Sequence, residues 1–133
     1  RSNIFYVKSV PHDWLFPHMA GAVHHGGAGT TATSLRHALP TLVVPFGGDQ
    51  PFWAERVYAA GCGPKAIPRD KLTAENLAEG LRALISNPEY TRNAACIGEA
   101  LRNEHGCANA ADLIEKAVWD WENGNPAQDG MNI

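Results

Sequence analysis

Short apolar runs alternate with longer amphipathic stretches over the first half of the chain. Three of these runs have the length of buried strands, and they cover residues 4–7, 22–24 and 41–44; residues 64–67 show a weak fourth strand pattern. Between them, apolar residues recur every three or four positions, as on one face of a helix. Strands that alternate with helices at this spacing are typical of βαβ units. We therefore predict an α/β fold with a parallel sheet of about four strands flanked by helices.

Helix ends are indicated by capping residues, prolines and glycines. Asp13 is the expected cap of the first helix, and Pro40 is expected to stop the second. The predicted helices cover about residues 14–18, 30–39 and 51–60, and three more begin at Thr73, at Asn87-Pro88 and near Asn109. We predict one domain over residues 1–122. The remaining residues, 123–133, are rich in Gly, Pro, Asn and Asp, and we expect a disordered tail.

Length and charge exclude several classes of protein. A chain of 133 residues suits one domain, and a net charge of -3 without a basic run argues against nucleic acid as a partner. No apolar run reaches the ~20 residues that a membrane span needs, and the first residues do not resemble a signal peptide. An odd count of 3 cysteines suits a reducing compartment, so we expect a cytoplasmic location.

A glycine-rich turn joins the run at 22–24 to the helix that follows it. The glycines of residues 26–29 let the backbone turn sharply and approach a ligand closely. The two threonines after them open a helix, whose first turn carries free N–H groups and a positive dipole end. This arrangement predicts an anion-binding site. The candidate phosphate-binding residues are His25, Gly27, Gly29, Thr30 and Thr31.

Two other interpretations of this turn stay open. In one, the glycines form only a tight turn and Thr30 caps the helix. In the other, histidines bind a metal, namely His24 and His25 with His12 or His18. No carboxylate or thiol has a matching spacing, so we expect no metal. The turn also lacks the Gly-Lys-Ser/Thr of one standard phosphate loop and the third glycine of the other.

A second glycine-rich loop, Gly47-Gly48, follows the run at 41–44. Ligands of parallel sheets bind at the carboxyl ends of the strands, so we expect one site between the two loops. Asp49 and Gln50 come next. A carboxylate can accept hydrogen bonds from two vicinal hydroxyls and an amide can donate and accept, so the pair suits a hexose. Alternatively, Asp49 only caps the helix that begins at Pro51.

The combined pattern resembles a known family. The pattern consists of His24 to Thr31, a helix, Pro40, an apolar strand, Pro45-Phe46 and then Asp49-Gln50-Pro51. It resembles the donor-binding signature of inverting UDP-glycosyltransferases. The stretch from Val10 to Phe16 adds a likeness to sterol 3-β-glucosyltransferases of the fungal type, which extends from about Ile4 to Val118. The resemblance implies the Rossmann-like C-terminal, donor half of a GT-B enzyme that lacks its first βα units. We expect such a piece to repack its sheet or to cover the edge by self-association.

The resemblance also implies residue roles. The phosphate-binding residues named above would contact the donor diphosphate, and Asp49 and Gln50 the sugar. The nucleoside would lie along Ser9, Val10 and His12. Plant enzymes of the family carry tryptophan at Ser9, glutamine near His12 and glutamate at Thr33. This chain departs from them, so we expect the base to be held mainly by the backbone of Val10.

The implied reaction is transfer of glucose from UDP-glucose to a sterol hydroxyl with inversion, without a metal or another cofactor. In the family, the general base and the acceptor pocket belong to an N-terminal domain. We therefore expect no catalytic residue in this chain, which would bind UDP and UDP-glucose but be inactive alone. The whole protein is expected to be peripheral on membranes.

Other functions stay open at this stage. The acceptor could be another lipid, a macrolide or a flavonoid. The chain could also be a non-catalytic half-enzyme that needs a partner chain, or a nucleotide-binding regulatory module.

Overall fold

The computed structural model describes residues 3–124. The described residues form two compact units, which divide between Arg102 and Asn103. The helices of the first unit are α1 (His12–Leu15), α2 (Ala28–Arg36), α3 (Gln50–Ala59), α4 (Ala74–Ser86) and α5 (Pro88–Asn103), which ends at the unit boundary. Its strands are β1 (Ala22–His24) and β2 (Thr41–Val43), and short 3-10 helices cover Phe16–His18 and Arg69–Lys71.

The two strands lie side by side and parallel, with Ala22 opposite Thr41 and His24 opposite Val43. All three residues of β2 are buried, because helices cover it on both faces. The α/β class is confirmed, and so are the predicted strands at 22–24 and 41–44. Parallel pairing through a helix brings the carboxyl ends of both strands to one edge, where the two glycine-rich loops begin.

The predictions of strands at 4–7 and 64–67 were wrong. Residues 4–7 form no strand, and their side chains are exposed, Phe5 by 91%. Residues 64–67 run beside β2, and the Ile67 N–H donates to the Val43 carbonyl at 3.0 Å. They make no regular ladder because Pro64 and Pro68 have no N–H to donate. Within residues 3–124 the sheet therefore has two strands, and the predicted four overestimate it.

Close helix packing surrounds β2. A methyl group at Gly80 of α4 would lie 2.8 Å from Leu42, so this helix approaches the sheet closely. A methyl at Gly98 of α5 would collide with the carbonyl of Leu35 at the end of α2. The core between these elements contains Leu35, Val43, Ala54, Val57, Cys62 and Ala94. These contacts hold the loops at the carboxyl edge on a rigid base.

Several helix ends differ from the predicted ones. The first helix begins at His12 after Pro11, whose φ of -60° suits that position, and Asp13 lies inside it. Helix α2 begins two residues before Thr30 because Gly27 serves as its N-cap. It ends at Arg36, ahead of Pro40. The cap predicted at Thr73 is confirmed, as a capping box with Asn76.

The second unit contains α6 (Gly106–Glu122), which starts three residues before the predicted Asn109. A Lys116–Asp120 ion pair of 2.6 Å spans one helical turn. The predicted tail at 123–133 lies outside the described residues from 125 onward. Over residues 3–124, no helix combines the length and the apolar content that crossing a membrane requires.

Candidate functional site

The turn after β1 depends on a glycine at residue 26. Gly26 has a φ of +89°, a conformation that other residues rarely adopt. A methyl group there would also lie 2.5 Å from Cγ1 of Val43 and 3.2 Å from the carbonyl oxygen of Gln50. Its N–H donates to Nδ1 of His24 at 3.0 Å. Backbone conformation and close contact with β2 therefore determine where the chain enters α2.

The N-terminus of α2 is open. The first intrahelical bond runs from the Thr31 N–H to the Gly27 carbonyl at 2.9 Å, so the N–H groups of residues 28–30 precede it. Gly27 has no side chain with which to cap them. The His25 ring covers Gly27, since its Nε2 lies 2.6 Å from the point that a methyl at Gly27 would occupy. An imidazole thus lies beside Gly27, the N-cap that precedes the three free amides.

The two predicted threonines differ in their surroundings. Thr30 is partly exposed, and its carbonyl accepts a hydrogen bond from Ser34 Oγ at 2.9 Å. Thr31 is only 3% exposed, and its Oγ1 has no hydrogen-bond partner among the described residues. Its side chain lies on the wall of an apolar cavity of about 580 Å³ between α2, α3 and α5. A phosphate contact through the Thr31 hydroxyl stays a prediction.

Side chains organise the loop after β2. Oε1 of Gln50 accepts the N–H groups of Phe46 at 2.7 Å and Gly47 at 3.2 Å. Oδ2 of Asp49 accepts from the indole N–H of Trp53 at 2.8 Å. Asp49 occupies the N-cap position of α3 without making a side-chain cap bond, so capping alone does not explain this carboxylate. Its second oxygen and the Gln50 amide NH₂ are the groups suited to a sugar.

The two loops are neighbours in space, as expected. The contact between Gly26 and the backbone of Gln50 joins the turn after β1 to the start of α3. The His25 ring and the Asp49-Gln50 pair therefore belong to one edge of the sheet. The binding roles of all these residues stay predictions.

The third predicted group lies before β1. Ser9 is exposed, Val10 is partly buried, and His12 stacks on Phe16 with ring centroids 4.6 Å apart. Phe16 is buried and meets the edge of His37, the C-cap of α2, at 6.0 Å. This aromatic contact anchors the segment to the helix that carries the turn.

The imidazole of His12 is close enough to the turn to affect the pKa of His24. Burial, followed by repulsion from the His25 and His12 imidazoles, lowers the pKa of His24 from 6.5 to about 4. His24 is therefore neutral at pH 7. Among residues 3–124, no three His, Cys, Asp or Glu side chains converge as metal ligands would, so the metal interpretation gains no support.

The sequence analysis missed two residues. Trp53 lies one helical turn after Asp49, and this i, i+4 spacing would have indicated the contact. Arg69 places its guanidinium 4.7 Å from the Phe46 ring centroid, beside a cavity of about 380 Å³ at the end of β2. Arg69 is 23 residues away from Phe46, so no local pattern predicts that pair.

Residues 1–115 match the family described as "Erythromycin biosynthesis protein CIII-like, C-terminal domain". The chain belongs to this family. It is 46% identical over 114 residues to the sterol 3-beta-glucosyltransferase UGT80B1 of Arabidopsis thaliana, matching 86% of this chain and 18% of that protein. The sterol 3-beta-glucosyltransferase of Pichia angusta is 43% identical over 112 residues, with 84% and 9% covered.

A solved glycosyltransferase structure has a similar fold. The glycosyltransferase VinC, crystallised in complex with dTDP, matches with a TM-score of 0.72 at 33% identity, over 77% of this chain and 26% of that chain. The fold is thus that of the C-terminal domain of GT-B glycosyltransferases, which confirms the resemblance and the fold class. The chain spans less than a fifth of the length of the two curated relatives named above.

Proposed function

We propose that this chain is the donor-binding part of a glycosyltransferase and that its donor is UDP-glucose. The observation that carries the proposal is the open N-terminus of α2 beneath the His25 ring, beside the start of α3. Three free amides and an imidazole supply donors for the oxygens of a diphosphate. The sugar then extends toward Asp49 and Gln50, and the nucleoside toward Ser9, Val10 and His12.

In the proposed reaction, the acceptor hydroxyl forms a bond to the anomeric carbon of glucose while the bond to the UDP oxygen breaks. The anomeric configuration inverts, and the hydroxyl proton passes to a base outside this chain. Negative charge grows on the departing UDP. The α2 N-terminus and His25 stabilise that charge, which is a role that a metal ion would otherwise fill.

The similarity to sterol 3-beta-glucosyltransferases supports a sterol as the acceptor of the whole protein. This chain contributes the donor side alone, so we expect it to bind the donor without catalysing transfer. The dTDP complex of VinC favours one alternative donor, a thymidine diphosphate sugar.

Calorimetric titration with UDP, UDP-glucose and dTDP tests the proposal. His25→Ala is expected to weaken UDP and UDP-glucose alike, about tenfold, since it removes a hydrogen bond to a charged group. Asp49→Ala is expected to weaken UDP-glucose by about tenfold and to leave UDP unchanged, because that carboxylate faces the sugar only. His18→Ala, an exposed histidine on the 3-10 helix, serves as the matched control and should bind as the wild type does.

Two outcomes would contradict parts of the proposal. Equal weakening of both ligands by Asp49→Ala would remove the sugar contact from the proposal. Tighter binding of dTDP than of UDP would replace the uridine donor by a thymidine donor.

A further inference from the structure

His24 is part of the turn but has no role in the proposed function. It ends β1, next to His25, and its side chain is partly buried. Nδ1 accepts the Gly26 N–H at 3.0 Å. A nitrogen that accepts cannot carry the proton of a neutral imidazole, so the proton resides on Nε2. The hydrogen bond thereby selects a single tautomer.

The bond satisfies a donor that has few alternatives. Gly26 is buried, and its backbone is held at a positive φ between Val43 and the backbone of Gln50. A buried N–H without a partner is costly, and glycine is the residue with the most conformational freedom to lose. The His24 ring thus supplies the acceptor that the Gly26 N–H needs, whereas its own Nε2 is buried and has no hydrogen-bond partner among the described residues.

We propose that His24 is a positioning residue, which holds the Gly26 turn so that the His25 ring and the free amides of α2 face one diphosphate. The inference rests on the proposed function for the ligand, and on the geometry of the turn for the role of His24. His24 acts through Gly26 and does not itself contact the diphosphate.

Charge is consistent with this role. A protonated His24 would carry a hydrogen on Nδ1, which would repel the Gly26 N–H. The imidazoles of His25 and His12 lie near enough to disfavour a positive charge on His24, and burial disfavours it further. Nδ1 therefore stays an acceptor over the physiological range.

Two substitutions separate the acceptor from the size of the ring. In His24→Asn, the side-chain oxygen follows Cβ and Cγ just as Nδ1 does, and asparagine commonly accepts from the N–H two residues later. In His24→Phe, an aromatic ring stays and the acceptor is lost. We expect His24→Phe to weaken UDP binding about tenfold, whereas His24→Asn stays within about threefold of the wild type.

The wild-type chain offers a direct second measurement. Nitrogen NMR of the His24 ring should show Nδ1 without a proton and Nε2 with one, and circular dichroism establishes whether each variant is folded. A proton on Nδ1 would overturn the inference even if His24→Phe failed to fold. Equal UDP affinities of folded His24→Phe and His24→Asn would overturn it too. Failure of the wild type to bind UDP would instead overturn the proposed function, and the diphosphate role of His24 with it.

Discussion

The two glycine-rich loops at the carboxyl edge of the sheet are built in different ways. In the turn after β1, Gly26 has no room for a methyl group, because Val43 and the backbone of Gln50 press against it. In the loop after β2, a methyl at Gly47 or Gly48 would meet nothing within 4 Å. That loop is held instead by the Gln50 side chain, which accepts two of its N–H groups.

The two loops therefore differ in what determines their shape. The first loop obtains its shape from contact with the core, so its geometry is linked to global folding. The second obtains its shape from one exposed amide, so it can open without unfolding the sheet. Under the proposed function, the rigid first loop would anchor the diphosphate and the adjustable second loop would contact the sugar.

The largest expected effect is that of Gly26→Ala. Residue 26 has a φ of +89°, and a methyl there would lie 2.5 Å from Val43, so the substitution should combine backbone strain with overpacking. We expect a loss of about 3 kcal/mol in the free energy of unfolding, measured by urea denaturation. UDP binding should weaken as well.

Gly47→Ala is the matched control for that substitution, because it adds the same methyl in open space. Its effect should stay within about 0.5 kcal/mol. Gly48→Ala should fall between the two, at about 1 kcal/mol, since its φ of +62° adds strain without a clash. If Gly47→Ala destabilised the chain as much as Gly26→Ala, the two loops would not differ as described.

The next effect is a pH dependence of stability that arises from His24. Its pKa is about 4 in the folded chain and near the ordinary 6.5 when unfolded. As pH falls from 6.5 to 4, the unfolded chain takes up a proton that the folded chain does not, so stability is lost across that window. Since the ring is only partly buried, we expect a loss of about 2 kcal/mol rather than the full value of the shift.

Urea denaturation at pH 7 and at pH 4.5 measures this loss. His24→Asn removes the titrating group and keeps the acceptor, so the difference in stability between the two pH values should shrink by most of that amount. An unchanged difference in His24→Asn would assign the pH dependence to other groups.

The smallest expected effect lies in the second loop. Gln50→Met removes the acceptor while keeping the length of the side chain, whereas Gln50→Glu keeps an oxygen that can accept both N–H groups. In Gln50→Met, amide hydrogen exchange at Phe46 and Gly47 should accelerate about tenfold, with little change in global stability. Gln50→Glu should exchange as the wild type does. Slower exchange in Gln50→Met than in Gln50→Glu would contradict the role of Oε1.

Local pattern predicted the two strands that form the sheet. A run of apolar residues ended by glycine or proline, as at 22–24 and 41–44, needs little context to be interpreted as a strand. The run at 4–7 is just as apolar but forms no strand. A strand requires a hydrogen-bonded neighbour, and composition cannot show whether one is present. Pro64 and Pro68 have no N–H groups for a ladder, so the segment at 64–67 forms no strand although it runs beside β2.

The sequence predicted the geometry of the turn where the residues involved are close along the chain. The glycines and threonines of 26–31 indicate an open helix N-terminus, since spacing along the chain decides which amides stay free. The contact of Gly26 with Val43 and the stacking of Arg69 on Phe46 join residues 17 and 23 positions apart, and no periodicity encodes them. The same holds for Thr31, whose side chain lies on the wall of a cavity between three helices.

The sequence by itself therefore determined the family, the parallel βαβ order and the location of the glycine-rich turn that leads into α2, because glycine spacing, apolar runs and helix starts are local properties. Only the tertiary structure decided how the turn is held. Packing against Val43 makes Gly26 indispensable, and the bond from its amide gives His24 a single tautomer. Both features depend on distances between elements that come together only on folding. The order of residues along the chain does not specify those distances.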